Sequence, residues 1–162
     1  SGWYAHEAPF AFDTDFRPMP DAIERMRIGT PSIASFALLD AALDVWDTVD
    51  MEDLHQKSID LSELFIREVE ARCPGVTFAG PRDPQDRGSH VSFRFEHGYA
   101  CMQALIANQV IGDFRAPDVM RFGITPLFID QADILKAVDI LESILKNETW
   151  REERFQVRAK VT

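Results

Sequence analysis

The hydrophobic period changes once along this chain, at Pro74-Gly75, and that change limits what the chain can fold into. Before it, apolar residues recur at helical spacing. Ile33, Phe36, Leu39, Leu43 and Trp46 mark one helix, with Thr30 as its expected N-cap and Pro31 at its first position. Leu54, Leu61, Leu64, Phe65 and Val69 mark a second, starting near Asp50 with Asp53 three residues on. After Gly75 the pattern is short and alternating. Val76 to Ala79 reads as a strand, residues 80–88 as a turn-rich loop, and Val91, Phe93 and Phe95 as a half-buried strand. Tyr99, Met102, Leu105 and Ile106 mark a third helix. Asp113 to Ala116 and Val119 to Gly123 read as a hairpin turning on Pro117-Asp118. Asp130 with Asp133 opens a last helix, whose apolar face is Ile134, Val138, Leu141 and Leu145. The expectation is two long helices followed by a small α+β unit, with helices packed on a mainly antiparallel sheet.

The flanks are less regular. Residues 1–29 show no helical period and are aromatic, which fits either a functional segment or a domain edge whose partner surface is missing. The chain begins Ser1-Gly2-Trp3 without Met, as a fragment or a processed chain does. The residues after Trp150 are charged and expected to fray.

At 162 residues the chain can bury a substantial core. Its net charge of −10 argues against binding to nucleic acid or an anionic membrane. No apolar run approaches membrane-span length. Cys73 and Cys101 have neither metal nor redox spacing, so free thiols in a reducing, cytoplasmic setting are expected. No metal set is expected, because His90 and His97 are too far apart along their strand to form an obvious pair.

Two residues stand out chemically. Arg121 lies between Met120 and Phe122 in a strand. It either sits on the solvent face or meets an anion, since a guanidinium matches a carboxylate with two parallel hydrogen bonds. Thr30, after Gly29, either caps its helix or helps an anion bind at the free N–H groups of a helix start.

Three segments then carry a resemblance: Ser1-Gly2-Trp3-Tyr4-Ala5-His6, Met26-Arg27-Ile28-Gly29-Thr30-Pro31, and Ile111 to Arg115 followed by Met120-Arg121-Phe122-Gly123-Ile124-Thr125-Pro126-Leu127. In this order they resemble the C-terminal part of the kynureninases, pyridoxal-phosphate (PLP) enzymes of the α/β aminotransferase fold, fold type I. The resemblance implies a division into residues 1–50 as the tail of the large cofactor-binding domain, 51–75 as a connecting helix, 76–150 as the small C-terminal domain and 151–162 as a charged tail. It implies that Trp3 donates its indole N–H to the cofactor phosphate and that Thr30, with Gly29, serves the phosphate and substrate end of a neighbouring subunit's site. It implies further that Arg121 holds the substrate α-carboxylate and that His6 lies near the substrate's aromatic ring. The lysine that carries the cofactor lies upstream of the Gly-Trp motif in that family, so no catalytic residue is assigned in this chain.

The implied reaction is hydrolysis of L-kynurenine to anthranilate and L-alanine by a cytoplasmic homodimer. A cysteine-desulfurase-like or class V transaminase-like protein shares the small domain, but the Gly-Trp-x-x-His start argues against it. A free-standing interaction or ligand-binding domain is the alternative from another class, with the aromatics of residues 3–16 as its surface.

Overall fold

A computed structural model describes residues 2–157. They fall into two compact units, one ending at Val49 and the other beginning at Asp50.

The first unit has little core. It contains 3-10 turns at Trp3–Ala5 and Glu24–Met26, helix α1 (Ile33–Leu43) and a further 3-10 turn at Asp44–Thr48. Residues 5–7 run back against 17–19: Glu7 N–H donates to the Arg17 carbonyl at 2.7 Å and Met19 N–H to that of Ala5 at 2.9 Å. This closes a loop that buries Ala5 and His6, so the N-terminal segment is more ordered than its sequence suggests. Thr30 is not the cap of α1. The helix starts two residues later with Ser32 as N-cap, because a proline biases the residue before it towards extended backbone. Ser32 makes no capping bond to the backbone; its hydroxyl meets that of Ser35 at 2.9 Å. The apolar stripe of α1 is present but exposed, Ile33, Phe36, Leu39 and Leu43 included, and Trp46 lies in the 3-10 turn beyond it.

The second unit follows the expected order: α2 (Met51–Arg72), β1 (Thr77–Phe78), β2 (His90–Arg94), α3 (Gly98–Ala107), β3 (Asp113–Arg115), β4 (Val119–Gly123) and α4 (Gln131–Lys146). Asp50 caps α2 by accepting from the N–H groups of Glu52 and Asp53 at 2.8 and 3.1 Å. Asp130 and Asp133 form a reciprocal capping box at the start of α4. The four strands form one sheet, β1-β2-β4-β3, antiparallel throughout.

Strand alternation gives the sheet two unlike faces. Val91, Phe93, Phe114, Met120 and Phe122 turn inward to a core shared with Leu61, Phe65, Val69, Met102, Leu105, Val138 and Leu141 of the helices. At its centre Phe93 and Phe122 meet Phe65 edge-on, with ring centroids 5.3 and 5.2 Å apart. His90, Ser92, Arg94, Asp113, Arg115 and Arg121 occupy the alternate positions and form the opposite, polar face.

The loop before β2 is pinned from both sides. Arg87, nearly buried, donates to the Pro81 and Arg82 carbonyls and pairs with Glu63 of α2, while the Ser89 and Ser58 hydroxyls meet at 2.6 Å. After Trp150 the chain does not simply fray. A short helix, α5 (Glu153–Gln156), buries Phe155, and the Tyr99 hydroxyl donates to the Val157 carbonyl at 3.0 Å. The rest of the expected tail, residues 158–162, lies outside the described residues.

Candidate functional site

Arg121 is placed by the β3–β4 hairpin. A two-residue turn at Pro117-Asp118 would set Asp113 opposite Phe122. The turn instead takes three residues, 116–118, with a cis Ala116–Pro117 peptide, and the register moves by one. Asp113 therefore faces Arg121, Phe114 faces Met120 and Arg115 faces Val119. Gly112 permits this approach, since a Cβ there would come within 2.6 Å of the Arg121 carbonyl oxygen.

The outcome is a two-pronged pair. Arg121 Nε donates to Asp113 Oδ1 at 2.6 Å and Nη2 donates to Oδ2 at 2.5 Å. Arg121 holds the Asp113 carboxyl below the usual carboxylate range, chiefly through these bonds, with smaller help from Arg115 and His90. Arg115 Nη2 lies 3.6 Å from Asp113 Oδ2. On its other side Arg121 faces Ser92 of β2, and His90 faces Gly123 two residues along. Arg121 is thus neither on bare solvent nor buried: its side chain is 31% exposed and already holds one carboxylate.

The sequence alone marks Asp113 only as the start of a strand. Its signal was a carboxylate symmetric with Arg121 about Pro117, readable once the turn is known to take three residues.

The other candidates belong to the first unit. Trp3 and His6 line one hollow of about 410 Å³, together with Pro9, Phe12, Asp13 and Phe16. Trp3 is half exposed and packs edge-on against Tyr4 and Phe10, and its indole N–H makes no hydrogen bond among the described residues. His6 is buried with both nitrogens engaged: Ala8 N–H donates to Nδ1 at 2.9 Å, which leaves the proton on Nε2, 3.1 Å from the Asp15 carbonyl oxygen. Gly29 and Thr30 do not line that hollow, but their segment is adjacent to the Gly-Trp turn. A Cβ on Gly2 would fall 1.5 Å from the Ile28 carbonyl oxygen, so only glycine fits there. The Arg27 guanidinium lies over the Tyr4 ring, 4.6 Å from its centroid.

A larger hollow of about 460 Å³ lies in the second unit between α4, the chain after α3 and the end of β4. Ile111, Phe122, Phe128 and Ile129 make it mostly apolar, and Arg121 does not line it. Cys73 and Cys101 are buried, and burial pushes their thiols up to about 11 and about 12, so neither is a nucleophile at neutral pH. No helix among the described residues is long and apolar enough to cross a membrane.

In solved structures this fold recurs in a cystine C-S lyase, C-DES, in complex with its reaction product cysteine persulfide. The TM-score is 0.71 at 21% identity, over 87% of this chain and 37% of that one. A mutant of C-DES with glycine covalently linked to its PLP cofactor matches with a TM-score of 0.70 at 21% identity, over 87% of this chain and 36% of that one. These neighbours are fold type I enzymes, and the likeness fixes the fold. In sequence, the chain is 44% identical over its whole length to kynureninase from Burkholderia mallei (strain SAVP1) and 45% identical to that from Pseudomonas fluorescens. It spans 39% of the length of each of these relatives. Residues 54–141, Asp113 and Arg121 among them, match the kynureninase C-terminal domain, and with more than half of the chain so matched it belongs to the kynureninase family.

Proposed function

We propose that this chain is the C-terminal portion of a PLP-dependent kynureninase that hydrolyses L-kynurenine to anthranilate and L-alanine. One observation carries the reading. Arg121, inside the family-matched segment, has five N–H donors and spends two on Asp113. The remaining edge, Nη1 with the second N–H of Nη2, is a fork for a substrate α-carboxylate. Holding that carboxylate orients the amino acid, so that the bond to be broken is presented in one geometry.

The residues of the first unit suit the phosphate end of the cofactor. Trp3 offers an unengaged indole N–H to the cofactor phosphate, and Thr30, exposed and next to Gly29, serves the phosphate and substrate end of a neighbouring subunit's site. When bound, the cofactor supplies an electron sink for the cleavage. His6 contributes the shape of its ring beside the substrate's aromatic group and does not move a proton, because both its nitrogens are committed within its own loop. Gly29 leaves room at the substrate end. Residues 1–50 serve as the tail of the large domain, 51–75 as a connecting helix, 76–150 as the small domain and 151–162 as its tail. The lysine that bonds the cofactor lies upstream of this chain. Lys57 is engaged with the Pro126 carbonyl at 2.5 Å, and Lys136 sits beside the apolar hollow. The parent works as a cytoplasmic homodimer on a small-molecule substrate.

The test is a steady-state assay of the full-length parent on L-kynurenine and, separately, on L-cysteine. Anthranilate release with no turnover of cysteine is expected. Turnover of cysteine alone would replace the proposal with a desulfurase-like function.

A further inference from the structure

We propose that Asp113 is a positioning residue: its carboxylate fixes the rotation of the Arg121 guanidinium so that only the outer edge is offered to the substrate's α-carboxylate. This rests on the reading of Arg121 as the carboxylate anchor.

The geometry separates two roles that an aspartate beside an anion-binding arginine can play. It can compete with the substrate for the same donors, or it can take one edge and orient the other. Asp113 takes the side edge, Nε at 2.6 Å and Nη2 at 2.5 Å, and leaves the equally two-pronged end edge open. It does so from the position directly opposite in the β3–β4 ladder, so both partners are fixed by backbone pairing and neither must move for a second carboxylate to bind. An arginine without such a partner turns about its last torsions and presents its edges in many directions. Each direction but one must be given up on binding, which costs affinity.

Charge agrees with the orienting role. Arg115 Nη2 also approaches Asp113 Oδ2, at 3.6 Å, so two guanidinium groups serve one carboxylate. The trio keeps one net positive charge, and an incoming carboxylate is attracted although an aspartate already occupies the site. Were Asp113 a competitor, its removal would help the substrate. As a positioning residue, its removal harms it.

The experiment has two arms. In the first, the 15N-labelled arginine side chains of this chain are followed by NMR. The Arg121 Nε–H signal should exchange slowly with water, and Asp113→Asn should speed that exchange at least tenfold with the fold unchanged by circular dichroism. An Arg121 Nε–H that exchanges as fast as those of the exposed arginines before any substitution would overturn the pairing. In the second, the full-length holoenzyme is assayed on L-kynurenine. Asp113→Ala should raise KM about ten- to a hundred-fold while kcat falls less than threefold, and Asp113→Asn should lie between it and the wild type. A lower KM in Asp113→Ala would mean that Asp113 competes, and an unchanged KM would mean that it orients nothing; either result overturns the inference. A wild-type holoenzyme that leaves L-kynurenine intact would overturn the proposed function, while the NMR arm still decides whether Asp113 fixes Arg121.

Discussion

Replacing Phe93 by Ala should remove a substantial share of the stability of the second unit. Phe93 lies in β2, an inner strand of the sheet, and is fully buried. Its ring meets those of Phe65, Phe122 and Phe78 at centroid distances of 5.3, 6.1 and 6.1 Å. Truncation removes the transfer free energy of a whole ring and leaves a hole that three other rings can only partly fill, a loss of about 3–5 kcal/mol. A domain of this size is stable by about 5–15 kcal/mol, so the loss takes about a fifth of that stability or more. In urea, with a slope of about 2 kcal/mol/M, the midpoint should fall by roughly 1.5–2.5 M at constant slope. Equilibrium unfolding followed by circular dichroism measures this directly. Phe128→Ala, at an exposed ring, is the control and should stay within about 0.5 kcal/mol of the parent. A Phe93 midpoint within 0.5 M of the parent's, or a larger loss at Phe128, would refute the placement of the core.

Four further outcomes follow from the same geometry. Asp130→Ala removes the capping box of α4 and should cost about 1 kcal/mol of unfolding free energy. The lowered pKa of Asp113 means that its pairing stabilises the fold fully above the unfolded value near about 4 and loses that contribution as pH falls through the lower folded value. In carboxyl-detected NMR, Arg121→Gln should move the Asp113 midpoint upward. The raised thiols act at the opposite end: burying Cys73 and Cys101 protonated stabilises the fold below about pH 9 and is lost as pH climbs towards their folded values of about 11 and about 12. Both should resist a thiol reagent at pH 8 until the chain is unfolded. Finally, this chain alone, given stoichiometric PLP, should release no anthranilate and acquire no stoichiometric lysine adduct after borohydride reduction and peptide mapping.

The second unit was legible because each of its elements carries a local signal. The caps at Asp50 and Asp130, the period of α2 and α4, and the alternation through Val91 and Phe93 all agree with the architecture found. Where the sequence misled, a local rule was outvoted. Thr30 suits an N-cap, yet the following Pro31 favours an extended lead-in and α1 begins after it. Alternation placed Arg121 on the polar face but could not supply its partner, which depends on whether the turn takes two residues or three. The stripe of α1 marks residues that favour burial, and periodicity alone does not name the surface that takes them. The anchoring of Phe155 by α3 was missed because one aromatic in a charged stretch has no period to reveal it.

The central claim is that the free edge of Arg121 recognises the α-carboxylate of L-kynurenine. It is tested most directly by comparing, in the full-length protein, binding of L-kynurenine with binding of its decarboxylated amine, for the wild type and for Arg121→Ala. In the wild type the carboxylate should be worth about 2–5 kcal/mol, a preference of roughly thirty-fold to several-thousand-fold. In Arg121→Ala that preference should collapse to less than about threefold, and Arg121→Lys should restore only part of it, because an ammonium cannot form the fork. A preference for the acid that survives undiminished in Arg121→Ala would contradict the account.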